Sequence, residues 1–104
     1  MATLEIAQPA EADFDAVLKY LSFEAGQAVS RKFGDSLLKA FDRLTEFPGA
    51  GAARPRLSRD VRIWTVEPYV VFYRYAAKDD IVRILRILHG KRKFTRKLLS
   101  GSSP

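Results

Sequence analysis

The chain contains no cysteine and a single histidine, His89. Without cysteine there is no disulfide framework, no thiol nucleophile and no sulfur-ligated metal. One histidine without thiols also removes the usual ligand sets for a transition metal. No cofactor is therefore expected. No glycine-rich phosphate loop is present, and no G-x-S-x-G frame surrounds any serine, which removes the familiar nucleotide-binding and serine-hydrolase signatures. No apolar run approaches the roughly 18 residues that a membrane span requires. The opening "MATLEIAQPAEADFD" lacks the basic and apolar regions of a secretory leader. A soluble, cytoplasmic protein with no membrane partner is the expectation.

What is present suffices for one core. The chain has 104 residues, 47% of them hydrophobic and 12% aromatic, and a domain of this size buries roughly two-thirds of its unfolded surface. Residues 1–99 are read as one domain and "SGSSP" (100–104) as a disordered tail. The net charge of +6 is unevenly placed. Residues 1–50 hold five Lys/Arg against eight Asp/Glu, giving −3, whereas residues 51–104 hold thirteen against four, giving +9. That asymmetry points to an acidic or polyanionic partner for the second half.

"TLEIA" (3–7) reads as a short strand. Pro9 fits the first turn of a helix, with Glu11, Asp13 and Asp15 near its positive end. Phe14, Val17, Leu18 and Leu21 make one apolar stripe at helical spacing. Gly26 breaks this helix. A second follows with Val29, Phe33, Leu37, Ala40, Phe41, Leu44 and Phe47 on one face, ending at "FPGAG". After the basic loop "ARPRLSRD" (53–60) come "VRIWTV" (61–66), "YVVFYRYA" (69–76) and "IVRILRILH" (81–89). These runs are rich in β-branched and aromatic residues, and their connections are too short for crossovers, so an antiparallel meander is expected. Residues 91–99 form a short basic helix in this reading. The predicted class is α+β: an N-terminal strand, a helical hairpin packed on the meander, and a small C-terminal helix.

A sheet covered on one side should alternate apolar with polar residues. Here Tyr69, Val71, Tyr73 and Tyr75 line one face of the second run, while Val70, Phe72 and Ala76 line the other with Arg74. In the last run Ile81, Leu85 and Ile87 oppose Val82, Ile84 and Leu88. Two amphipathic helices cover only one face. The segment 91–99 looks too short to close the second, so a partner chain is expected there.

The succession "LTEFPGAG", "RPRL", "PYVVFYR" and "RILHGKR" resembles the ParE/RelE superfamily of type II toxin–antitoxin toxins, over nearly the whole chain from Leu4 to Phe94, and most closely its ParE branch. The resemblance implies growth arrest by binding and inhibiting DNA gyrase, with no catalytic chemistry. It also implies neutralisation by a small ParD-like antitoxin with an acidic or amphipathic C-terminal segment. The RelE branch implies instead a metal-independent mRNA endonuclease acting at the ribosome. A degenerate toxin or a basic nucleic-acid-binding module is a third reading, although no RNA- or DNA-binding motif is present.

For target engagement the cations of the second half are the candidates: Arg54, Arg56, Arg59, Arg62, Lys91, Arg92 and Lys93. Antitoxin contacts are expected at Phe14, Leu18, Trp64 and Phe72. In the nuclease reading His89, Arg92 and Arg62 would serve, since metal-free RNA cleavage needs a base, an acid and cations for the phosphate. The RelE pattern implies a further arginine where this sequence has Val70 and a tyrosine near Leu98. Both positions are aliphatic here.

Overall fold

The computed structural model describes residues 1–99; the expected tail lies outside them. In chain order the elements are β1 (Thr3–Ile6), α1 (Gln8–Ala25), α2 (Gln27–Glu46), β2 (Ala52–Ala53), β3 (Val61–Val66), β4 (Tyr69–Ala76), β5 (Ile81–His89) and α3 (Arg96–Leu99). The predicted α+β arrangement is present. Pro9 stands in the first turn of α1. Gly26, at φ 95°, is at once the C-cap of α1 and the N-cap of α2, a left-handed conformation that favours glycine. Ser30 Oγ donates to the Leu18 carbonyl at 2.7 Å, and Gly34 faces the Leu18 side chain, so the two helices approach closely.

The strands form one sheet in the order β1-β5-β4-β3-β2. The meander β3-β4-β5 is antiparallel as expected, but β1 pairs with β5 in parallel, and the sheet is mixed. A register shift between Phe72 and Tyr73 leaves Leu85 as the extra residue on β5. The bulge inverts the side-chain alternation beyond it. Val82, Ile84 and Ile87 therefore join the helix-side core with Leu37, Phe41 and Leu44, while Leu85 and Leu88 join the other face. The strict alternation read from sequence placed Ile87 and Leu88 the other way round.

The outer face, expected to require a partner, is closed by the chain itself. Val61, Val70, Phe72, Leu85, Leu88 and Leu98 form a buried cluster, with Leu57, Ile63, Phe94 and Leu99 packed against it. Phe94 meets Phe72 edge-on at 4.7 Å. Leu57, from the loop before β3, supplies cover that the sequence reading assigned to no element. Val29 and Phe47, predicted on the buried face of α2, are 46% and 51% exposed. Val29 sits in the first turn of α2, and Phe47 is the C-cap, out of helical phase, with the Arg43 guanidinium 5.5 Å from its ring.

One polar cluster ties these layers together. Where β1 ends, β5 loses its neighbour, and Asp13 of α1 takes that place. Its carboxylate accepts from the Ile87 N–H at 2.9 Å, from Arg86 Nε at 2.7 Å and from Arg86 Nη2 at 2.9 Å. Arg86 Nη1 also donates to the Leu98 carbonyl. The hydrogen bonds to Asp13 hold the Arg86 guanidinium charged, raised above its ordinary range despite burial. Asp13 is thus a strand-edge cap and ion-pair partner, and not the helix-dipole residue read from sequence. Among the described residues no helix is long and apolar enough to cross a membrane.

Two ion pairs of similar length give a contrast. Arg83–Glu5 at 2.8 Å is about half exposed, whereas Arg86–Asp13 at 2.7 Å is only 10% and 15% exposed. Asp13→Ala leaves a buried guanidinium unpaired and should cost on the order of 3 kcal/mol. Glu5→Ala should cost less than about 1 kcal/mol. Urea denaturation of the two variants measures both, and equal losses would refute the assignment.

Candidate target-binding surface

His89 closes β5, and the following turn is built around it. Gly90 N–H donates to the Pro68 carbonyl at 2.8 Å, and Arg92 N–H donates to the His89 carbonyl at 3.0 Å. His89 Nδ1 accepts from the Lys91 N–H at 3.1 Å, so in the neutral ring the proton sits on Nε2. The ring stands edge-on to Tyr69 at 5.2 Å. This turn projects Lys91, Arg92 and Lys93 outward, all exposed. Two open clefts flank His89. One, of about 250 Å³, lies toward α1 and includes Tyr20, Tyr69 and Arg92. The other, of about 360 Å³, includes Thr65, Glu67 and Lys91.

The remaining predicted cations lie elsewhere. Arg54, Arg56 and Arg59 are exposed in the loop before β3. Arg62 is opposite Tyr73 in the ladder, whereas His89 is opposite Tyr69, whose partner on β3 is Val66. Four residues along a strand span roughly 13 Å, so Arg62 and His89 are not brought together. The Arg62 guanidinium donates to the Gly51 carbonyl at 2.7 Å and more weakly to that of Gly49 at 3.4 Å. Tyr73 anchors the same loop, since its hydroxyl accepts from the Gly51 N–H at 2.8 Å and donates to the Pro48 carbonyl at 2.7 Å. The "FPGAG" loop is thereby pinned to the sheet.

The positions that carry an arginine and a tyrosine in the RelE pattern are both buried here, Val70 and Leu98 inside the outer-face cluster. Of the expected antitoxin contacts, Phe72 is 0% exposed. Phe14, Leu18 and Trp64 are half-buried; Phe14 packs on Phe41 at 6.2 Å, Leu18 faces Gly34, and Trp64 lies against the helix-side core. Exposed aromatics that the sequence reading passed over are Tyr20 and Phe23, the latter 89% exposed. Both fall off the stripe of Phe14, Val17, Leu18 and Leu21, and that displacement was the signal for them.

The comparisons with known proteins agree with this architecture. Residues 4–94 match the family described as the ParE toxin of type II toxin-antitoxin system, parDE. A curated relative, Toxin ParE3 of Caulobacter vibrioides, is 32% identical over 91 residues, covering 88% of this chain and 89% of its own. The solved chromosomal ParDE TA system from P. aeruginosa includes a chain 26% identical, with a TM-score of 0.72 over 86% of this chain and 96% of that one. The isolated E. coli RelE toxin, at 15% identity, shares the fold with a TM-score of 0.63 over 89% of this chain and 88% of its own. The fold is that of the ParE/RelE superfamily of small toxins. Within it, the chain belongs to the ParE toxin family of type II toxin–antitoxin systems.

The pinned loop yields two expectations. A Cβ on Gly51 would lie 2.6 Å from the Ile63 carbonyl oxygen and from the Tyr73 hydroxyl, whereas one on Gly49 meets nothing within 4 Å. Gly51→Ala should cost roughly 1–3 kcal/mol and Gly49→Ala under about 0.5 kcal/mol, as read by thermal unfolding. Burial raises the Tyr73 hydroxyl above its ordinary value of 10.0, with the Gly51 N–H and Arg62 pulling partly the other way. The unfolded chain releases this proton first, so the stability it contributes is present below pH 10.0 and is lost as the pH climbs further. Tyr73→Phe should lessen that alkaline loss in denaturation curves taken on either side of pH 10.0.

Proposed function

We propose that this chain is the growth-arresting component of a ParDE-type pair, acting by binding DNA gyrase rather than by cutting RNA. A cognate antitoxin with an acidic or amphipathic C-terminal segment holds it inactive. The observation that carries this reading is the composition of the outer sheet face. Where the RelE pattern has an arginine and a tyrosine, Val70 and Leu98 are packed together. Arg62 is engaged with loop carbonyls and His89 Nδ1 with a backbone N–H. Lys91, Arg92 and Lys93, projected from a turn tied to the sheet, then present charge to an acidic surface of the target complex, with Arg54, Arg56 and Arg59 as a second group. The charge also accounts for neutralisation, since an acidic segment over the same turn would satisfy these cations and occlude them.

One observation favours ribosome-dependent RNA cleavage as a second reading. His89, Glu67 and Lys91 line one cleft, and an imidazole, a carboxylate and an ammonium around one cleft are candidate acid–base groups.

Brief induction of the chain in a bacterial host, with pulse-labelled thymidine and amino-acid incorporation, separates the two. DNA synthesis should fall first. An earlier collapse of protein synthesis would refute the gyrase reading. Reversing Lys91, Arg92 and Lys93 to glutamate should weaken inhibition of gyrase supercoiling in vitro by about tenfold or more, each tenfold corresponding to about 1.4 kcal/mol. His89→Ala should leave that inhibition unchanged.

A further inference from the structure

A group of cations on the outer face of the sheet is used by neither the core nor the turn after β5. Arg74 on β4 stands directly opposite Arg83 on β5, and the same row continues to Glu5 on β1 and Val61 on β3. Arg96 of α3 comes down on the same region. It lines a cleft of about 250 Å³ with Arg74, Ser58, Leu57, Leu85 and Leu99. Like charges directly opposite one another destabilise a sheet, so this row costs stability. Arg83 is matched by Glu5 at 2.8 Å. Among the described residues Arg74 has only the neutral Ser58 hydroxyl, at 2.9 Å. Arg96 makes no hydrogen bond or ion pair among the described residues. Among the described residues the cleft thus holds two guanidinium groups without a carboxylate, and Arg83 flanks them.

We propose that Arg74 and Arg96, flanked by Arg83, form a binding site for the carboxylates of an acidic polypeptide segment that also carries aliphatic side chains. Guanidinium groups match carboxylates in a planar fork. The cleft walls, Leu57, Leu85 and Leu99, suit leucine or valine beside the acid. Among the described residues no aromatic side chain lines the cleft, so they give it no stacking platform of the kind by which proteins hold single-stranded nucleic acid. The site lies away from the Lys91–Lys93 turn. Arg83 and His89 are six positions apart on β5, roughly 20 Å at strand rise, with α3 over the face between them. An acidic segment laid across this face would reach both groups of cations. The proposal deepens the antitoxin reading above and rests on it for the partner's identity.

The test is fluorescence anisotropy with a short labelled peptide alternating glutamate and leucine, titrated with the full chain. Arg96→Glu, at an exposed position, and Arg74→Glu should each weaken binding by about tenfold or more. Glu5→Ala, which releases Arg83, should tighten it. Arg74→Glu also removes the bond to Ser58, so circular dichroism checks its fold, and Arg96→Glu carries the test independently. Absence of peptide binding would overturn the proposal, as would binding that survives both reversals. A single-stranded oligonucleotide that displaces the peptide through the same arginines would also overturn it. The measurement involves neither cells nor gyrase, so a failure of the growth-arrest reading leaves its outcome distinct.

Discussion

A carboxylate at the end of a strand organises this molecule. β1 covers only the first half of β5, and the helix that follows it brings Asp13 back to the strand's open edge. There Asp13 takes the place of a neighbouring strand for one N–H and pairs with Arg86 in a forked contact. Arg86 passes the constraint on, since its third bond fixes the Leu98 carbonyl and with it the C-terminal turn. Charge-assisted bonds of this kind are roughly twice as strong as neutral ones, and each member would be costly to leave unpaired in the interior. The helical layer, β5 and the outer cover are therefore held by three side-chain contacts that share one guanidinium.

That arrangement bears directly on chemistry. A short segment with Phe94, Leu98 and Leu99 would be a weak cover by area alone. Anchored at Leu98 and abutted by Leu57, it closes the outer face into a second small core. The middle of this sheet surface is filled with Val70, Phe72 and Leu88, which are apolar. What it leaves at its margins is charge: the Lys91–Lys93 turn at one end, and Arg74, Arg83 and Arg96 toward the other. One fold can carry different chemistries, so function is argued from the side chains on this face and at its margins.

Much of this was legible in the sequence. Helical spacing, the break at Gly26, the "FPGAG" stop and the three β runs indicated elements close to those observed. The parallel partner of β5 was not legible, because a short strand such as Thr3–Ile6 announces no register. Nor was the bulge: one extra residue near Leu85 exchanges the faces of Ile87 and Leu88, and nothing in "RILRIL" marks where alternation slips. Asp13 looked like an ordinary first-turn acid, and Arg86 like one cation among thirteen in the second half. Their pairing spans 73 positions, beyond any local pattern. For the site, the basic turn after His89 was readable as an exposed edge. The engagement of Arg62 was not, because its partners are backbone carbonyls that carry no sequence signal.

The strand order also governs how the protein comes into being. β5, flanked by β1 and β4, is the last strand to be synthesised, and Asp13 and Glu5 wait for arginines made long after them. While the ribosome is still adding residues 81–89, the earlier strands cannot form the finished sheet, and the basic turn that follows β5 does not yet exist. Non-local pairings of this kind come late in folding, after the intervening chain has been ordered. A nascent or prematurely terminated chain is thus without β5, the strand that joins β1 to β4. The finished sheet and the basic turn beyond it are therefore among the last parts of the molecule to appear.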